Sequence, residues 1–320
     1  MKTSKLIYES IFERGNMMNG ILPLWKERGM TSHDCVFKLR KILKTKKVGH
    51  TGTLDPGVEG VLPICIGQAT RIAEYLTDAG KTYEAVVSIS RTTTTEDAEG
   101  ETVEQNTDFK SFTREEILEA LKSLTGEIEQ TPPMFSAVKV NGKKLYEYAR
   151  AGQTVERPTR KIKIYELELL DEAQKFEGEE VTFSIRIKCS KGTYIRTLAV
   201  QIGEALGFPA HMHELVRTAS GTFTKDNCFT LTQIAEMMEA GEQDKFLLPV
   251  EYALSAYPYV EITPNIEKQI FNGQVLEMHA LLKEHDKIVY GIEGRAFAVY
   301  IAHPTKQGQM KPDKMFPELD

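Results

Sequence analysis

The chain has 320 residues, 41% of them apolar, enough for packed cores in one large or, as read here, two ordinary domains. No apolar run approaches the roughly 18 to 20 residues that cross a bilayer, and the charged N-terminal stretch lacks the apolar core of a signal peptide, so a cytoplasmic protein with no membrane partner is expected. A formal net charge of −6 excludes a uniformly basic nucleic-acid binder, and four scattered cysteines without a Cys-x-x-Cys pair disfavour a structural zinc site.

Residues 1–17 carry no motif and read as an N-terminal extension. Residues 32–44 then form an amphipathic helix: Ser32 is placed to cap it, Cys35, Val36, Leu39, Ile42 and Leu43 share one arc, and Lys38, Arg40, Lys41 and Lys44 share the other. With Lys46 and Lys47 this makes a run of cations without an acid, which can serve phosphate binding or simply be a solvated face.

The next segment, Lys46-Lys47-Val48-Gly49-His50-Thr51-Gly52-Thr53-Leu54-Asp55-Pro56, is a basic loop leading to one acid. Gly49 and Gly52 permit close backbone approach and positive φ, and Pro56 stiffens the chain beyond Asp55. Alone, an Asp-Pro pair is also an ordinary turn opener.

Alternation at Tyr83, Ala85, Val87 and Ile89 predicts a strand that Tyr83 starts. Thr113 and Glu116 form a capping box for a helix over 113–124, with Phe112 and Ile117 as its staple. A second cationic stretch runs through Lys139, Lys143, Lys144, Arg150, Arg157, Arg160, Lys161 and Lys163. Val181, Phe183, Ile185, Ile187 and Cys189 make the strongest strand signal, followed by a Ser190-Lys191-Gly192 turn and a helix from about Thr193 whose first turn holds Tyr194 and Arg196. From Ala256 the pattern changes to short strands near 258–262, 274–278, 287–291 and 296–302, the mark of a small β-rich domain. All four cysteines read as buried small hydrophobes.

The run VGHTGTLDPGVEGVLPICIG at 48–67 resembles the first motif of the TruB family of tRNA pseudouridine synthases. The likeness continues in family order through MNGILPLWKERGMTSHD from Met18, KTYEA at 81–85, TEDAEGE at 95–101, QTPPMFSAVKVNGKKLYEYARAG at 130–152, CSKGTYIRTLA at 189–199, AHMHELVRTASGTF at 210–223 and MKPDKMF at 310–316. The resemblance implies an α+β fold: a catalytic domain over 18–253 with a large antiparallel mixed sheet, flanking helices and a thumb insertion at about 126–152, then a PUA-like RNA-binding domain over 254–320. It implies a monomer that isomerises uridine 55 in the T loop of tRNA, a position numbered by tRNA convention, with the T arm and T loop as its partner.

That reaction breaks the N1–C1′ bond, turns the uracil and rejoins it through C5. It is redox-neutral and calls for no metal or organic cofactor. By resemblance Asp55 is the catalytic carboxylate, acting at C1′, at C6 or through a glycal. Asp55 must stay ionised while partly desolvated, so a cation belongs beside it, and Arg196 is expected there with a two-point hold. Resemblance further assigns Tyr83 to stacking on the extruded base and to catalysis, and His50, Tyr194, Leu215 and Asp97 to substrate binding. Lys38, Lys41, Lys44, Lys46, Lys47, Lys143 and Lys144 are expected on the RNA backbone.

Three positions depart from the family pattern. Gly57-Val58-Glu59 follows the acid where Leu-Ala-Ser or Leu-Ala-Thr is usual, Val216 precedes Arg217 where an Arg-Arg pair is usual, and Glu27 replaces a common proline. A rival of another class is a tRNA-binding folding factor with secondary chemistry. A phosphate-cradling loop lacks the Lys-Ser/Thr ending of a P-loop, and a metal hydrolase finds no His-Glu-x-x-His.

Overall fold

The computed structural model describes residues 18–316; the expected extension, 1–17, lies outside the described residues. The strands that build the larger sheet are β1 (Gly20–Lys26), β2 (Val48–His50), β3 (Glu59–Ile66), β4 (Lys81–Ile89), β5 (Gly126–Gln130), β6 (Arg160–Leu169), β7 (Val181–Cys189) and β8 (Ala210–Ser220). Their order is β1-β3-β8-β4-β7-β6-β5, with β2 paired to β3 and Phe223–Thr224 to β8, giving nine strands. All pairings are antiparallel except β8 with β3, so the sheet is mixed.

β4 and β7 pair over their full lengths, Lys81 opposite Cys189 and Ile89 opposite Val181. Their alternating apolar residues, Tyr83, Ala85 and Val87 on one and Phe183, Ile185 and Ile187 on the other, enter one core. The period-2 expectation therefore stands, although the strand opens at Lys81 rather than Tyr83.

The helices are α1 (Ser32–Ile42), α2 (Ala73–Asp78), α3 (Arg114–Ser123), α4 (Leu145–Arg150), α5 (Ile195–Leu206), α6 (Leu231–Glu239), α7 (Val250–Leu254) and α8 (Glu267–Phe271). Helix α1 buries Cys35, Val36 and Leu39 and exposes Lys38, Arg40 and Lys41, as its amphipathic pattern requires. Its cap is Thr31, whose side chain accepts from the Asp34 amide while Asp34 returns a bond to the Thr31 amide. Ser32 is displaced from that expected role by one residue. At α3 the capping box of Thr113 and Glu116 forms as read.

Residues 126–152 begin inside the sheet, because Gly126–Gln130 is the edge strand β5. The part that leaves the sheet carries a two-residue-per-strand hairpin, Lys139–Val140 with Lys143–Lys144, and α4.

Toward the C-terminus, β9 (Tyr259–Glu261), β10 (Leu276–Glu277), β11 (Ile288–Ile292), β12 (Arg295–Ala302) and β13 (Gln309–Met315) form a separate five-stranded sheet in the order β9-β11-β12-β13-β10. It has its own core of Ile270, Ile288, Tyr290, Ala298 and Tyr300. A second apolar cluster joins Val289, Val299 and Phe316 to Ile21, Val61, Ile72 and Val250, so the small sheet is docked on the larger unit. Lys314 pairs with Glu74 at 2.7 Å and Arg71 donates to the Met315 carbonyl at 2.6 Å across that seam. Three of the cysteines are buried, but Cys228 is only half-buried. No helix among the described residues is long and apolar enough to cross a membrane.

Candidate active site

The loop that carries Asp55 is held on both sides of the acid. Ser32 is buried; its hydroxyl accepts from the Leu54 amide at 2.8 Å and donates to the Leu54 carbonyl at 3.1 Å. The serine expected to cap α1 instead ties the helix to the residue before Asp55. Beyond the acid, buried Lys26 donates to the Val58 carbonyl at 2.6 Å and the Gly29 amide to the Pro56 carbonyl at 2.9 Å. Val58 is itself buried, whereas Gly57 is exposed and Glu59 half-buried. Of the two loop glycines, only Gly52 has a positive φ, +155°.

Asp55 is partly exposed, its side chain at 44%, and one oxygen sits 3.1 Å from Nη2 of Arg196, whose side chain is 8% exposed. Arg196 lies in the first turn of α5, as expected. The two-point hold on Asp55 is not found. Nη2 also donates to the Phe135 carbonyl at 2.9 Å, and Nη1 donates to the Thr95 carbonyl at 3.0 Å and lies 3.8 Å from Asp97. Two acids and two carbonyls divide the fork because α5 meets the 95–97 turn and the 131–137 segment at this point. Both Nη nitrogens are thereby engaged, and Arg196 cannot swing away from Asp55 without breaking its bonds to the Thr95 and Phe135 carbonyls.

Asp97 is also turn chemistry: one oxygen accepts from the Thr95 hydroxyl at 2.5 Å and from the Glu99 amide at 3.1 Å. Its neighbour Glu96 has φ +63°, accepts from the Thr197 hydroxyl at 2.6 Å, and burial pushes its carboxyl up.

Asp55 and Arg196 stand in the wall between two cavities that share Leu54, Val58, Ser136 and Leu215. The smaller, about 280 Å³, is completed by Tyr83, Tyr194, Lys81, Arg217 and the Lys191–Thr193 turn. The larger, about 500 Å³, takes in Asp97, Glu99, Phe135, Tyr146 and Arg150. Tyr83 is 7% exposed, and burial pushes its phenol up while the Arg217 guanidinium opposes that shift. Burial also raises the phenol of Tyr194. Tyr194 is the N-cap of α5 rather than a residue of its first turn, and its amide and carbonyl are gripped by the Gln130 side chain at 2.9 and 3.2 Å. Leu215 and Arg217 lie between two register shifts in β8, at Met212/Glu214 and Arg217/Ala219, irregularities that turn side chains toward a site.

The expected residues thus divide. Asp55, Arg196 and Leu215 line both cavities, Tyr83 and Tyr194 the smaller, Asp97 the larger. His50 lines neither. It closes β2, and burial together with Arg217 and His33 holds its imidazole below the usual range. Lys38, Lys41, Lys44, Lys46, Lys47 and Lys143 are exposed and Lys144 is half-buried, all on the outside. Four residues escaped the sequence reading of the site: Lys26, Lys81, Gln130 and, as a pocket residue, Arg217. Three of the four are cations inside the protein, at 0%, 7% and 1% exposure for Lys26, Lys81 and Arg217. A lysine or arginine at the buried phase of a strand is the available signal, and it is a weak one.

The model of the TruB family pseudouridylate synthase N-terminal domain matches residues 40–195, and that of the tRNA pseudouridylate synthase B C-terminal domain matches 196–255. A Geobacillus thermodenitrificans protein named tRNA pseudouridine synthase B is 56% identical over 301 residues, covering 93% of this chain and all of its own length. The chain belongs to the TruB family of pseudouridylate synthases. A Listeria innocua protein of the same name is 55% identical over 93% of this chain and 98% of its own. Among solved structures, a Cbf5-Nop10-Gar1 complex contains a chain that superposes with a TM-score of 0.68 at 29% identity, covering 92% of this chain and 84% of that one. An H/ACA ribonucleoprotein bound to a substrate RNA containing 2′-deoxyuridine gives 0.68 at 26%, over 98% and 88%. As a TruB family member the chain is an isomerase with the pseudouridine synthase fold. Its Glu27 is exposed, whereas Arg217 is buried against backbone carbonyls.

Proposed function

We propose that this enzyme converts uridine 55 in the T loop of tRNA to pseudouridine, with Asp55 as the reacting carboxylate. The observation that carries this reading is the contact of Asp55 with Arg196 in a wall shared by two cavities, where segments far apart in sequence converge. A nucleotide swung out of its stack enters the smaller cavity with its base between Tyr83 and the apolar face of Leu215. Arg196 favours the ionised form of Asp55 as substrate excludes water, since opposite charge offsets desolvation. Asp55 then acts at C1′, at C6, or by aiding the glycal route. The N1–C1′ bond breaks, C1′–C5 forms, the C5 proton leaves and N1 gains one.

Exposed lysines of α1 and the hairpin supply phosphate contacts on the T arm, the C-terminal five-stranded sheet adds RNA-binding surface, and the protein acts as a monomer. Incubating the protein alone with an unmodified tRNA transcript tritiated at uridine C5 tests this. Tritium release with pseudouridine mapped to position 55 is expected. No release would sink the catalytic reading in favour of a binding factor, and modification elsewhere would sink the site assignment.

A further inference from the structure

The smaller cavity holds two buried cations that the reaction above leaves unused. Lys81 opens β4 and Arg217 stands opposite Tyr83 on β8; they are 7% and 1% exposed, and both line the cavity. Among the described residues, neither has a carboxylate within 4.0 Å. Lys81 donates to the carbonyls of Thr77 at 2.8 Å and Ala79 at 3.0 Å, and Arg217 donates through Nε to that of Val61 at 2.6 Å and through Nη2 to that of Gly52 at 3.3 Å, and also meets the Tyr83 phenol. Two of the three ammonium hydrogens of Lys81 are thus engaged and one remains. The side chains converge on Gly52, where a Cβ would lie 3.5 Å from Arg217 Nη1 and 3.5 Å from Lys81 Cε.

Two buried like charges repel, and carbonyl dipoles neutralise neither. An anion entering the cavity would relieve that repulsion. A nucleotide that enters cannot leave its charge behind, because the flanking phosphodiesters travel with it. From this geometry, and resting on the RNA-isomerase reading, we infer that Lys81 and Arg217 beside Gly52 form a subsite for a backbone phosphodiester adjoining the target uridine. Gly52 keeps the approach open, and the apolar walls of Tyr83 and Leu215 are left for the base. The ligand class is therefore a singly charged phosphodiester.

Burial, with Arg217 adding to it, brings Lys81 down to about 8. The other titratable groups facing it are Asp78 of α2, Lys191 beyond β7, and Cys189 of β7, whose thiol is pushed up to about 11 and stays neutral over this range. Lys81 is accordingly the group that changes charge at mildly alkaline pH, and the KM of the wild type should rise between about pH 7 and 9 while that of Lys81→Gln stays flat.

The deciding experiment combines Lys81→Gln with stem-loop RNAs in which each phosphodiester flanking the target uridine is replaced by an uncharged methylphosphonate. At one of the two positions the wild type should lose about tenfold or more in kcat/KM, the size of a missing charge-assisted bond. Lys81→Gln should lose a similar factor on ordinary RNA and little more on the methylphosphonate, and Lys81→Arg should restore the wild-type response. The comparison is a ratio of two RNAs within one variant, so a partly unfolded preparation cancels. Losses that multiply, insensitivity of the wild type at both positions, or a flat wild-type KM would overturn the subsite. A wild type that converts no unmodified RNA would instead overturn the function on which it rests.

Discussion

Cations occupy two very different settings in this molecule. On α1 and just beyond its end, Lys38, Lys41 and Lys44 stand in solvent, and Lys41 rests over the Phe37 ring at 4.5 Å. Around the Asp55 cleft, Lys26, Lys81, Arg196 and Arg217 are nearly or fully buried and each is bonded to backbone carbonyls, those of Lys81 on the turn just before it and those of the other three on distant segments. The exposed charges are free to exchange counterions for phosphates, so they serve affinity and respond to salt. The buried charges have given up water for fixed dipoles, so they hold fixed positions and respond little to salt. Burial, rather than residue type, sets the response to salt.

The comparison is broken most severely by removing the charge the cleft is built around. Asp55→Asn is expected to abolish detectable pseudouridine formation while tRNA affinity stays within a few-fold of wild type, as single-turnover assays and filter binding would register. Residual turnover near the wild-type rate would remove Asp55 from the chemistry.

Arg196→Lys should cost on the order of a hundredfold in kcat, because one ammonium cannot reach Asp55 and the Thr95 and Phe135 carbonyls together. If charge alone mattered, the lysine variant would turn over normally. A crystal structure of the variant with Asp55 unmoved would then locate the reason.

Neutralising Lys38, Lys41 and Lys44 together sharpens the contrast from the other side. The slope of log affinity against log salt should flatten by up to about 2.7, roughly 0.9 for each phosphate that no longer meets a lysine, with single-turnover chemistry at saturating tRNA unchanged. An unchanged slope would mean that RNA passes elsewhere.

The smallest expected effect concerns buried imidazoles. Burial holds both His50 and His211 below their ordinary value of 6.5, and His211 is fixed by its Nδ1 bond to the Arg91 carbonyl at 3.0 Å. The unfolded chain takes up protons that the folded one resists, so stability should decline as pH falls below about 6.5. Chemical denaturation from pH 7 to 5 should show a shallower decline in His211→Asn; an equal decline would place the effect in other groups.

By itself, the sequence determined what periodicity can carry. A period near 3.6 showed which arc of α1 is buried, a period of 2 set the core faces of β4 and β7, and the Thr113–Glu116 spacing marked the start of α3. Asp55 and Arg196 were legible as a pair because the chemistry of a partly desolvated, ionised acid demands a cation and the motifs supplied one. Which polar group each buried donor meets was decided only by tertiary structure. Ser32 had the composition of a cap yet bonds Leu54, 22 residues away; Arg196 reaches Thr95 across 101 residues and Arg217 reaches Val61 across 156. Local pattern reports whether a side chain turns inward. It carries no information about which distant carbonyl waits there, because that partner is fixed by how sheet, helix and loop pack against one another.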